Sequence, residues 1–247
     1  MAFYDTLFQQ GMRLTMSEFT FPDRPIFPWG SDLVNPYTKL EKYAAFVKET
    51  AIFADDIGIV YCGTKLNGEA GELAQKIDEL VALKSSNTND GVFWTVEQPR
   101  VNDVLLELGD VLWYTVALIG ELGYDVCAIR RLAVTRAQGY YPEWAPVGQS
   151  GVDVVRNTLR INALAGHVGE RIGKFIRDRN LGHDNAAFRQ DMPWCGHTAQ
   201  LLQHMIDMID SVANEFGYDV FDVLDRNVQK LESRRERGKL SGSGDHR

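Results

Sequence analysis

Cysteine is scarce in this chain. Cys62, Cys127 and Cys195 stand far apart with no paired spacing, which excludes a disulfide framework and a thiolate metal site and suits a reducing compartment. Apolar runs of membrane-spanning length are missing too. The best, Val111 to Gly120, covers ten residues between Asp110 and Glu121, against roughly 20 for a spanning helix. No basic-then-apolar layout opens the chain, so no secretory signal is expected. Basic charge is in deficit: 26 Lys and Arg against 34 Asp and Glu leave a net charge of −8, which repels phosphate backbones and argues against nucleic acid as a partner. Histidine offers no metal pattern. His167 stands apart, and His197 and His204 are seven residues apart, which is not a ligand spacing. The expectation is a soluble cytoplasmic protein.

Helical periodicity is what the chain does contain. Strand-like alternation is weak everywhere, and the fold class expected is all-α. Residues 1–36 hold Pro22, Pro25, Pro28 and Pro36 among aromatics and read as an extended N-terminal arm. Leu40, Tyr43, Ala44, Val47, Ala51 and Ala54 then recur at helical spacing. Leu66, Ala70, Leu73, Ile77, Leu80 and Val81 form a second such stripe, and Val101 to Leu122 a third, with a polar loop from Ser85 to Gly91 between them.

The chain also echoes itself. "ELGYDV" at 121–126 returns as "EFGYDV" at 215–220, an offset of 94, and "GEAGELAQKID" at 68–78 has a fainter echo in "GHVGERIGKFIRD" at 166–178, an offset of 98. Two echoes in the same order imply a duplication, with a loop of different length inside each copy. The expected organisation is a helical repeat over 37–138, a Gly/Pro-rich linker over 139–151 and a second repeat over 152–247. Helical units of this size bury their apolar faces against each other, which gives an internal pseudo-dimer; a further homodimer stays open.

Acidic residues interrupt the apolar stripes. At 100° per residue, Glu69, Glu72 and Lys76 fall within about 60° of one another beside the second stripe. Glu107, Asp110, Tyr114 and Glu121 form one narrow column on the third helix, whose other sides are apolar. A Glu-x-x-Glu pair on a surface helix is ordinarily just solvated. Carboxylates inside an apolar helix are costly unless a cation neutralises them. All-oxygen donors without neighbouring His or Cys favour Mg²⁺, with Mn²⁺ as substitute, over Zn²⁺.

"GEAGEL" followed by "ELGDVLWY" resembles the MazG-like all-α nucleoside triphosphate pyrophosphohydrolases, relatives of the dimeric helical dUTPases. The resemblance covers roughly Ala51 to Gly123. It implies Mg²⁺-dependent hydrolysis of a nucleoside or deoxynucleoside triphosphate to monophosphate and pyrophosphate. Glu69, Glu72, Glu107 and Asp110 match the family's metal ligands. Near the C-terminus, Asn227, Lys230 and Arg234 match polar and basic positions used near substrate phosphates. Gly68 stands where the family often has an acid, and the first copy has Ala133 and Arg136 in place of Asn-x-x-Lys. In the second copy His167, Leu201 and His204 replace Glu69, Glu107 and Asp110, while Glu170 retains Glu72. Each copy keeps what the other lacks, so one complete site shared between the halves is expected.

On this reading Glu72, or alternatively Glu69, orients the attacking water as base. Lys76 binds phosphate or pairs with Glu72 along the helix. Tyr114 contacts sugar or base or is a core tyrosine, and Trp94 stacks on the base or anchors its loop. The basic run Arg234 to Lys239 complements a helix C-terminus or reaches a phosphate. A dUTPase-type enzyme, and a non-catalytic nucleotide-sensing or interaction module on the same scaffold, are the alternatives.

Overall fold

Leu40, Tyr43 and Val47, spaced a turn apart, are all buried and lie on helix α1, Pro36–Thr50. The structure, a computed structural model, describes residues 36–87, 98–127, 151–179 and 184–239, with side chains over 38–82, 100–127, 154–178 and 184–239. The expected arm at 1–36 falls outside the described residues except for Pro36. That proline opens α1, in the first turn, where its missing N–H leaves no bond unmade. The helix stops at Thr50, earlier than its apolar spacing suggests. Ala51 and Ala54 lie beyond it; the Thr50 hydroxyl donates to the Val47 carbonyl at 3.2 Å, the acceptor that the next N–H of a continuing helix would use. Asn185 donates its side-chain amide to the Asp55 carbonyl (2.8 Å) and its backbone N–H to the Asp56 carbonyl (2.8 Å).

Helix α2, Gly58–Asn87, carries the second stripe. Ser85, Ser86 and Asn87, expected in a loop, continue the helix. Adding a residue to an existing helix costs far less than starting one, and serine's propensity penalty is small. Helix α3, Gln98–Glu121, is buried on nearly every side, with Leu105, Leu108, Val111, Leu112, Leu118 and Ile119 all removed from solvent. The start of α2 meets the end of α3, since a Cβ on Gly58 would strike the Glu121 side chain, so the two run antiparallel.

Helices α4 (Gly151–Arg179), α5 (Asn185–Arg189), α6 (Met192–Glu215) and α7 (Val220–Glu236) complete the described residues, among which there is no strand. Helix α2 packs against both α3 and α4, α4 against α6, and α3 against α6 and α7. One continuous apolar core results, running from Leu40 to Leu224. Small residues let α2 and α4 touch: a Cβ on Gly63 would lie 2.2 Å from Ile172 Cδ1, and Asn162 Nδ2 donates to the Ala70 carbonyl at 3.0 Å.

The repeated Gly-Tyr-Asp-Val segments make the same corner twice. Gly123 and Gly217 have φ of 83° and 80°, a left-handed conformation that a side chain would strain. Tyr124 N–H reaches back to Ile119 O, and Tyr218 N–H to Ala213 O, each at 3.1 Å. Asp125 then accepts from Cys127 N–H, and Asp219 from Phe221 N–H, each at 2.8 Å. No helix among the described residues is long and apolar enough to cross a membrane.

Candidate metal centre

The antiparallel pairing of α2 and α3 sets the middle of one acidic stripe against the middle of the other. Glu69 and Glu107 are 7% and 2% exposed, whereas Glu72 opens to solvent. One oxygen from each of Glu69, Glu72 and Glu107 lies within 4.8 Å of the others. Among the described residues this is the one group of three acidic, His or Cys side chains placed to meet on a single ion. Its all-oxygen chemistry fits a hard divalent cation. Burial, then the nearby charge of Asp110, pushes the Glu69 carboxyl above its ordinary range, while Lys65 opposes that rise. The Lys65 ammonium stands 3.2 Å from Glu69 Oε1. Burial works against the charge on Lys65, yet Glu69 holds its pKa above the usual lysine value.

Asp110, the fourth expected ligand, is engaged from another helix. Asn227 Nδ2 donates to its Oδ1 at 3.1 Å and Lys230 Nζ to its Oδ2 at 2.6 Å. Both donors sit on α7, three residues apart and therefore on one face. Asn227 is fully buried, and the Tyr43 hydroxyl donates to its Oδ1 at 2.9 Å, which orients the amide nitrogen toward Asp110. Burial, and secondarily Asp110, raises the Tyr43 phenol well above its ordinary value. Gly109 permits the approach, because a Cβ there would lie 3.0 Å from Asn227 Cβ. Lys39 to Asp225 (2.6 Å) and Arg226 to Asn102 (3.1 Å) tie α7 to α1 and α3.

An aromatic wall adjoins the acids. Tyr114 and Tyr61 have ring centres 6.3 Å apart, and Phe53 lies 5.1 Å from Tyr61. Burial first, then Tyr61, with Glu69 and Asp110 behind them, raises the Tyr114 phenol. Lys65 Nζ sits 5.8 Å from the Tyr114 ring centre. Lys65, Tyr61 and Phe53 were not singled out from sequence. Tyr61, Lys65 and Glu69 do recur every fourth residue, a pattern that places them on one face; Phe53 lies in the connection between α1 and α2 and has no periodic signal.

Other expected site residues are placed differently. Lys76 pairs with Glu79 at 3.6 Å rather than with Glu72. A Glu72 oxygen lies instead within 4.8 Å of oxygens of Glu69 and Glu107. Arg234 follows Lys230 by one turn, in the last turn of α7. Trp94 lies outside the described residues. In the later half, Glu170 is exposed and pairs with Lys174 at 2.8 Å, His167 is exposed, and Leu201 and His204 are half-buried. Burial holds the His204 imidazole below its ordinary value. An open groove of ≈ 250 Å³ in this half is lined by Arg171, Lys174, Phe175, Asp178 and Trp194, and Arg171 is already committed there to the Trp194 carbonyl and the Thr198 hydroxyl.

No family model matches the chain. No solved structure matches it either. Among curated proteins, the Gene 37 protein of Mycobacterium phage L5 is 36% identical over 102 residues, which are 39% of this chain and 82% of that protein.

Proposed function

Since the chain belongs to the family of the Gene 37 protein of Mycobacterium phage L5, whose name states no activity, its chemistry has to be argued from its own residues, and we propose that it is a Mg²⁺-dependent nucleoside triphosphate pyrophosphohydrolase. The supporting observation is the convergence of Glu69, Glu72 and Glu107 oxygens within 4.8 Å. The MazG-like resemblance supplies the reaction: a nucleoside or deoxynucleoside triphosphate goes to monophosphate and pyrophosphate. When bound, Mg²⁺ or Mn²⁺ would polarise the α-phosphate, acidify a water and stabilise the pyrophosphate leaving group.

The chain's own residues supply the rest. Glu72, the solvent-facing member of the cluster, orients the water and takes its proton. Glu69 is less suited to that role, being buried and held by Lys65. Lys230 and Asn227 bind phosphate oxygens, with Arg234 a turn further along α7. Phe53, Tyr61 and Tyr114 offer the face on which a base and sugar rest. Positioning and charge neutralisation carry most of phosphoryl transfer, and this arrangement provides both. The two halves are read as a duplication that makes an internal pseudo-dimer, in which the first keeps the acids and the second donates α7. The same reading gives a small-molecule partner and a cytoplasmic location.

One observation favours a second reading, a non-catalytic nucleotide sensor: both oxygens of Asp110 are already held by α7. Incubation with Mg²⁺ and each common NTP and dNTP, with products resolved by ion exchange, separates the two. Monophosphate and pyrophosphate support the enzyme, and the best substrate decides whether it is a dUTPase. Tight nucleotide binding without turnover supports the sensor.

A further inference from the structure

Lys230 sits where a cation belongs. Its ammonium is 2.6 Å from Asp110 Oδ2, and the two side chains are only 8% and 15% exposed. Asn227 holds the other oxygen of that carboxylate and is itself held by Tyr43. The Asp110 carboxylate therefore already faces a full positive charge and an amide dipole from α7 before any ligand arrives. Lys65 on Glu69 differs: its side chain is 40% exposed, so it can swing into water at little cost. Lys230 has no such freedom. Its departure would strand a half-buried carboxylate, which is unfavourable unless another cation takes its place and another anion receives the ammonium.

Resting on the pyrophosphohydrolase reading, we infer that Lys230 is an internal counter-ion that couples metal binding to triphosphate binding. Without nucleotide, Lys230 withholds Asp110 from a divalent cation and leaves three glutamates beside a repelling charge. A triphosphate offers its own anionic oxygens to the ammonium. Lys230 then exchanges Asp110 for phosphate, and Asp110 is released to act as the fourth carboxylate. By linkage each ligand raises the affinity for the other by the same factor. The site stays closed to metal until its substrate is present, which limits the binding of adventitious cations.

The test is Mn²⁺ binding to the nucleotide-free full chain, followed by the loss of the free-ion paramagnetic resonance signal. Lys230→Met and Lys230→Gln are expected to bind Mn²⁺ roughly tenfold more tightly than the unmodified protein, within the usual span of coupling factors. Lys230→Gln keeps a hydrogen-bond donor on Asp110 and carries the test if the Met variant does not fold. Lys230→Arg, which keeps the charge, is expected to match the unmodified protein, and Lys65→Gln to gain less than about threefold because its charge is screened. A merely structural lysine would lose binding when replaced, so tighter binding separates the two roles. Equal or weaker binding by both uncharged variants overturns the inference and leaves the proposed reaction standing. Absence of Mn²⁺ binding in all five proteins overturns both.

Discussion

The helix pairs α2–α3 and α4–α6 are built alike and used differently. Each ends in a Gly-Tyr-Asp-Val corner with the glycine at positive φ. The first buries Glu69 and Glu107 and gathers three carboxylates on one spot. The second leaves Glu170 exposed beside Lys174 and packs Phe175, Phe188 and Trp194 into an aromatic cluster with ring centres 4.3 to 5.3 Å apart. Burial of like charges is unfavourable, so the first pair has to bring in cations: Lys65 from its own helix and Lys230 from α7. The second pair needs none. Its contribution to the first is the end of its own chain.

The comparison breaks most visibly at the acids. Glu107→Ala or Asp110→Asn is expected to lower hydrolysis by roughly 10³-fold or more, the rate equivalent of several kcal/mol of lost charge stabilisation. Calorimetric Mg²⁺ titration of Glu107→Ala should show the binding heat gone. Glu170→Gln in the other pair is expected to stay within about twofold in both measurements.

Lys230→Ala comes next. Loss of a charge-assisted bond to phosphate is worth about 1.5–3 kcal/mol, so substrate binding should weaken by roughly one to two orders of magnitude. The nucleotide-free protein should also melt lower, because the half-buried Asp110 carboxylate remains without its cation. Addition of Mn²⁺ should restore part of that loss.

Two glycines sharpen the contrast in packing. Gly109→Ala would press a methyl against Asn227 Cβ at 3.0 Å and lift α7 from α3, at about 1–3 kcal/mol. Gly166 has open space around it, so Gly166→Ala should stabilise α4 by about 0.5–1 kcal/mol. Denaturant midpoints read both.

The smallest effect concerns Glu121, at the seam between the halves, where it receives Asn185 Nδ2 at 2.5 Å and Arg189 Nη2 at 3.4 Å. Burial raises its carboxyl above the ordinary 4.5, against the pull of Arg189 and Asn185 and with a push from Asp55. A raised folded pKa means that the folded state holds the proton more tightly. Its stabilising contribution is present below 4.5 and is lost as pH rises through the raised value. Melting of the unmodified protein and Glu121→Gln at about pH 7 and about pH 4 should show the former gaining on the latter in acid.

Much of this was readable in advance. Leu66 to Leu80 and Val101 to Leu122 announce their helices because the apolar period spans several turns. Glu69, Glu72 and Glu107 stood out because acids inside apolar stripes need a reason. Helix ends are less readable: α1 stops at Thr50, and the connection after it is held by Asn185, 130 residues from Asp55, which no local pattern carries. Asn227 and Lys230 are marked in the sequence only by family resemblance, and their contact with Asp110 depends on where α7 crosses α3 at Gly109. Tyr43 looked like one more residue of an apolar stripe, yet its hydroxyl sets the Asn227 amide. Such roles are made by tertiary contact and leave no periodic trace.

The central claim is that the first pair holds the chemistry and the second completes it through α7. Steady-state kinetics of Lys230→Ala and His204→Ala, beside Asp110→Asn, test it most directly, because all three lie on helices that adjoin the same core. The account predicts that Asp110→Asn is inactive in the proposed hydrolysis, that Lys230→Ala keeps turnover with a much raised KM, and that His204→Ala matches the unmodified protein. Unmodified kinetics for Lys230→Ala, or a His204→Ala as inactive as Asp110→Asn, would contradict it.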